Sequence, residues 1–136
     1  MFKAAAVLVG ILNLLMGAVW FFAPHFPLEL WGVTQTSHGL MVERRLGIVI
    51  LIYSVVLLLA RNAPPSPARS AICYAAVFGG IAIGSMNLYD LVSGTASSGV
   101  ASAIGINYLT SLAFGLIEWR AYRDRKPADT AKTPAQ

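Results

Sequence analysis

Charge is what this chain has least of: Asp, Glu, Lys and Arg make up 12% of its 136 residues, about half the share of an ordinary soluble domain. With apolar residues at 57%, too little polar surface remains to cover a water-soluble globule, so composition alone selects a membrane protein. Cysteine is nearly absent as well. The single Cys73 excludes an intramolecular disulfide and a cysteine-based metal cluster within one chain, and it offers no redox pair. No basic stripe lies on a soluble element, which argues against nucleic acid as a partner. His25 and His38 both fall outside the apolar runs, and two loop histidines specify no coordination geometry. They read as solvated, and no metal, haem or other cofactor is expected. No nucleophile-base pair or metal triad is present, which disfavours a dedicated enzyme.

What is there is a series of apolar runs. Ala4 to Ala23 has Asn13 as its only strongly polar member. It is too long for the apolar region of a signal peptide, and it ends Phe21-Phe22-Ala23-Pro24 rather than in a small-x-small site. It reads as a retained first span, with Ala6, Gly10, Asn13, Gly17 and Trp20 on one side as a stripe that lets helices approach closely. Pro24 to Val42 contains two prolines and two glycines and cannot be one continuous helix. Within it, Pro27 to Trp31 suits the bilayer surface, with Trp31 at the headgroup level. A second span is expected over 41–60. The prolines of Arg61 to Arg69 stop that helix, and a third span follows over 70–92, with Gly80 and Gly84 in a G-x-x-x-G. Ser93 to Ser98 is a short turn that makes spans three and four antiparallel neighbours. The fourth span covers 99–118, and 121–136, without apolar periodicity, is expected to be a disordered cytoplasmic tail.

This predicts an all-α four-transmembrane-helix bundle of residues 1–120, multi-pass in the cell (inner) membrane. Lys3, Arg61, Arg69, Arg120, Arg123, Arg125, Lys126 and Lys132 fall on one side, and only Arg44 and Arg45 on the other. Eight against two places the N- and C-termini in the cytoplasm under the positive-inside rule.

The second span sets a triplet, Glu43-Arg44-Arg45, directly against fifteen uncharged residues from Leu46 to Ala60. Charge inside a span usually faces a partner or a cavity rather than lipid. At 1.5 Å per residue Arg45 lies about 22 Å from Ala60, and Asp90 about 30 Å from Ser70, so both come near the non-cytoplasmic boundary. Around the helix Arg44 falls on the side of Gly47 and Ser54, whereas Arg45 shares a side with Val49, Ile52, Val56 and Leu59 and snorkels past them. Arg44 is therefore the expected partner of Asp90. On the third span Asp90 shares its face with Asn87, Ile83, Gly80, Gly79 and Ala76; on the fourth, Asn107, Ser111 and Glu118 align.

The polar groups thus concentrate in the outer half: Glu43, Arg44, Asn87, Asp90 and Asn107, with Tyr53, Tyr89 and Tyr108 nearby. One reading is structural, an ion pair and hydrogen bonds that fix helix register. The other is an outer-leaflet polar pocket for a lipophilic molecule with a polar head, a quinone or lipid. A third is an accessory or assembly subunit of a larger membrane complex, whose partners are other membrane subunits and which has no activity of its own.

Four spans, a proline soon after the first, and Arg44-Arg45-Leu46-Gly47 opening the second resemble the DoxX-like group of small bacterial four-helix integral membrane proteins. The resemblance covers Phe2 to about Arg120. It implies the bundle fold; the group takes its name from a quinone-reducing thiosulfate oxidoreductase subunit, and the resemblance implies little about activity. It implies no catalytic residue in this chain.

Overall fold

The computed structural model describes residues 1–129, all of whose regular structure is helical. Four long helices, α1 (Phe2–Phe22), α3 (Ser37–Ala60), α4 (Pro67–Val92) and α5 (Ala101–Asp129), are joined by the six-residue α2 (His25–Leu30) and a tight helical turn, Ser98–Val100. Three stretches are long and apolar enough to cross a membrane: Phe2–Phe22, Pro67–Val92 and Ser98–Asp124. The remaining long helix, α3, differs in charge rather than length. Its 24 residues carry Glu43, Arg44 and Arg45, so its longest uncharged run is Leu46 to Ala60.

Local chemistry explains the boundaries. α3 begins at Ser37, earlier than the expected 41, because Thr36 caps it: its hydroxyl accepts from the Gly39 amide at 3.3 Å. His38 consequently sits in the first turn of a helix rather than in a loop, and both histidines are exposed. α4 likewise begins at Pro67 instead of 70. Ser66 accepts from the Arg69 amide, and Pro67 occupies a first-turn position where its missing N–H is no loss. Of the three prolines expected to interrupt the chain, this one starts the helix. α5 runs to Asp129, beyond the expected end at 118 and into the stretch expected to be disordered. The Arg123 guanidinium stacks on the Trp119 ring one turn earlier, at 4.8 Å, which supports the extra helix. The rest of the expected tail, 130–136, lies outside the described residues.

The helices pack in two antiparallel pairs, α1 with α3 and α4 with α5. In the first pair Gly10 lies against Leu57 and Leu58, Gly17 against Leu51, and Gly47 against the backbone of Trp20 and Phe21. Ser54, fully buried, donates to the Gly10 carbonyl at 2.6 Å. In the second pair Gly80 meets Asn107 and Ser111, and Gly84 meets Tyr108. The small-residue stripes are thus the contact lines within pairs. Because Ser54 bridges helices in an apolar setting, Ser54→Ala is expected to lower stability by about 0.6–2 kcal/mol. A shift in detergent melting temperature measures it, and no shift would mean the bond is idle.

The pairs meet at both ends. At the end carrying the start of α1, Phe2, Ala6, Val9, Leu57, Cys73, Ala76, Phe114 and Ile117 form one buried cluster, with Phe2 edge-on to Phe114 at 6.3 Å. At the opposite end Trp20 packs on Trp31 at 5.4 Å. There the Ser97 amide donates to the Trp31 carbonyl at 2.6 Å, and the Ser97 hydroxyl to that of Leu30 at 3.3 Å. Gly32 turns the chain there with φ +70°.

Candidate functional site

The charge triplet of α3 does not meet Asp90. Arg44 and Arg45 are exposed and Glu43 half-buried, and among the described residues no ion pair joins Arg44 to Asp90. Arg45 turns back to Met41, its Nη2 at 3.9 Å from the sulfur. The expected inward side of α3, that of Gly47 and Ser54, is buried as read, but it faces α1. Asp90 sits on α4, whose own small face packs on α5. The two residues therefore belong to different pairs. Asn87, Asp90 and Asn107 are half-buried. The Asn107 amide donates to the Ala103 carbonyl of its own helix at 2.8 Å. Nearby, the hydroxyls of Ser85 and Tyr108 are 3.1 Å apart.

The buried polar groups gather at the other end. Ser70, the fourth residue of α4, donates from its hydroxyl to Glu118 Oε1 on α5 at 2.7 Å. Both side chains are buried, at 8% and 6% exposure. One turn along α4, the Cys73 side chain is fully buried, and Tyr53 of α3 packs against the cluster that contains it. The Tyr53 hydroxyl is buried and makes no hydrogen bond among the described residues. Arg69, beside Ser70, is only 9% exposed; its guanidinium lies over the Phe2 ring at 5.1 Å.

Two concavities open on this cluster. One, of about 490 Å³, is lined by Met1, Phe2, Pro65, Arg69, Ile117, Arg120, Ala121 and Asp124. The other, of about 300 Å³, continues past the start of α1 to Lys3, Arg61, Asn62 and Ala63. Together they bring Lys3, Arg61, Arg69 and Arg120 to one end of the bundle, with Asp124 the one acidic residue in the lining. No group of three or more His, Cys, Asp or Glu side chains suited to a metal ion is found among the described residues. The buried thiol and carboxylate face the interior, while the open walls combine hydrocarbon with fixed positive charge.

Reading single helices missed this cluster, although the signal was present. Glu118 aligns with Ser111 on α5, and an antiparallel α4 across a short turn sets Ser70 at the level of Glu118. Arg69 counted only toward orientation.

No protein-family model, curated protein or solved structure matches the chain.

Proposed function

We propose that the protein is a four-span integral membrane protein of the bacterial inner membrane, with both termini in the cytoplasm, that binds a lipophilic molecule with a polar head, a lipid or quinone, rather than turning over a substrate. The observation that carries this reading is the cleft of about 490 Å³, whose lining sets Phe2, Pro65, Ile117 and Ala121 beside Arg69 and Arg120. Its mixture of hydrocarbon and positive charge matches the boundary between acyl chain and headgroup. Only 28% of the apolar stretch of α1, and 22% of those of α4 and α5, is buried within the chain, so most of the helix surface is left for lipid.

Packing supports the fourth span. α3 lies antiparallel along α1 from Gly47, beside Phe21, to Leu58, beside Gly10, and a helix so paired takes its neighbour's depth. Arg45 and Arg44, two and three residues beyond Gly47, then come level with the end of α1 at Phe22, at the membrane boundary where charge is tolerated. The DoxX-like resemblance, carried by span spacing and Arg44 to Gly47, agrees with this arrangement.

Two measurements test the proposal. Cysteine at Thr34, exposed between α2 and α3, is expected to react with an impermeant maleimide in intact cells, and cysteine at Asn62 is not; Cys73 is buried and stays silent. The reverse pattern, or equal labelling, ends the topology. For binding, gentle purification followed by mass spectrometry is expected to recover lipid or quinone in fixed proportion to protein, and its absence ends the ligand reading.

The accessory-subunit reading draws on Gly79 and Gly105, at which a methyl group would meet no atom within 4 Å. Both leave room for a helix of another chain, and stable co-migration with a larger complex would favour that role.

A further inference from the structure

We propose that the Arg69 cleft binds the phosphate of an anionic phospholipid; this rests on the amphiphile-binding reading above and names the headgroup and the residue that selects it. Arg69 is the one buried Lys or Arg side chain among the described residues. Its Nε is buried with no hydrogen-bond partner among the described residues, and the residue lines both concavities. A guanidinium presents five N–H donors in a planar fork that matches phosphate oxygens in pairs. Stacking on Phe2 at 5.1 Å fixes the plane of that fork without using any of its donors.

The surroundings add charge of the same sign. Lys3 and Arg61 line one concavity with Arg69, and Arg120 the other, against Asp124 in the lining and the buried Glu118 beneath it. Two of these cations hold provisional partners. Arg61 Nη1 lies 2.5 Å from the Leu58 carbonyl of its own helix end, and Arg120 Nη1 contacts the Met1 sulfur at 2.8 Å, a weak acceptor. Phosphate is a stronger acceptor than either and can draw both donors toward it. The excess of cations over acid selects a headgroup with net negative charge over a zwitterionic one. Phe2, Pro65, Ile117 and Ala121, which line the cleft beside Arg69, give acyl chains an apolar contact and so select a phosphate that carries them over a free one.

The test uses the full chain in a neutral detergent. Its melting temperature is followed as phosphatidylglycerol, phosphatidylcholine or soluble glycerol phosphate is added. Phosphatidylglycerol is expected to raise it saturably, phosphatidylcholine much less, and glycerol phosphate not at all. Arg69→Gln is expected to weaken the apparent affinity for phosphatidylglycerol about tenfold or more, as loss of a charge-assisted pair of bonds does. If Arg69→Gln does not fold, Lys3→Gln and Arg61→Gln, both exposed, are each expected to reduce the affinity and its salt sensitivity. Arg45→Gln, at the opposite end, should leave both unchanged.

Equal responses to the two lipids, a response indifferent to Arg69, Lys3 and Arg61, or an equal loss in Arg45→Gln overturns the site while leaving amphiphile binding intact. Stabilisation by glycerol phosphate equal to that by the lipid overturns the assignment to lipid. Stabilisation by none of the three, together with no co-purified amphiphile, overturns both this inference and the reading on which it rests.

Discussion

Gly47→Ala is expected to destabilise the protein, and Gly79→Ala to stabilise it, although both change a glycine to alanine inside a long helix. A methyl group at Gly47 would lie 2.7 Å from the Phe21 amide nitrogen and 2.9 Å from the Trp20 carbonyl carbon. Those atoms are backbone and cannot rotate away, so α1 and α3 must separate. Overpacking of this kind costs about 1–3 kcal/mol. It would also loosen the neighbouring contacts at Gly17 and Gly10, which depend on the same approach. At Gly79 nothing lies within 4 Å, and only intrinsic preference remains, worth up to about 1 kcal/mol in favour of alanine. The buried Cys73 supplies the measurement, because a thiol-reactive fluorophore reaches it only as the bundle opens. A neutral Gly47→Ala would show that the two helices do not touch backbone to backbone there.

Gly47 also shows how far single-helix reasoning reaches. The spacing of Gly47 and Ser54 on α3, like that of Ala6, Gly10 and Gly17 on α1, marks a side that packs, and those residues are buried. A helical wheel gives the angle of a residue about its own axis but not the helix that lies across from it. Arg44 could be assigned to the packed side, but its match to Asp90 required α3 and α4 to be neighbours. The neighbour of α3 is α1. Depth carried more information, because it follows from residue count alone. It placed Arg61, Arg69 and Arg120 at one end, where the structure brings them into one pair of clefts. Capping chemistry was legible at Ser66-Pro67 and Thr36, and the extension of α5 at Trp119 and Arg123, but apolar periodicity outweighed both signals when the spans were bounded. Nothing in the spacing marks Arg69 as buried, since burial there comes from Phe2, more than sixty positions away.

The second large effect is expected where α4 and α5 share a buried carboxylate. Ser70 donates to Glu118 at 2.7 Å, and both are more than nine-tenths buried. Ser70→Ala removes a donor from a carboxylate that water reaches poorly, which costs about 1–3 kcal/mol. Glu118→Ala removes the acceptor of Ser70 and leaves a void beside it. Once Glu118 is gone the Ser70 hydroxyl has no carboxylate to satisfy, so the double variant should lose less than the sum of the singles, by about 0.5–3 kcal/mol. Ser111→Ala is the contrasting change. The single Ser111 O–H is shared between the main-chain carbonyls of Val77 at 3.1 Å and Asn107 at 3.0 Å, and its removal leaves no carboxylate stranded, so its loss is expected to be smaller than that of Ser70. Because Cys73 lies one turn from Ser70 and Trp119 directly follows Glu118, either reporter would change with the substitutions themselves. Melting is better followed by the loss of helical circular dichroism. Additive losses, or a Ser111→Ala variant weaker than Ser70→Ala, would show that Glu118 does not depend on Ser70 and that the cluster beneath the Arg69 cleft is not held as one unit.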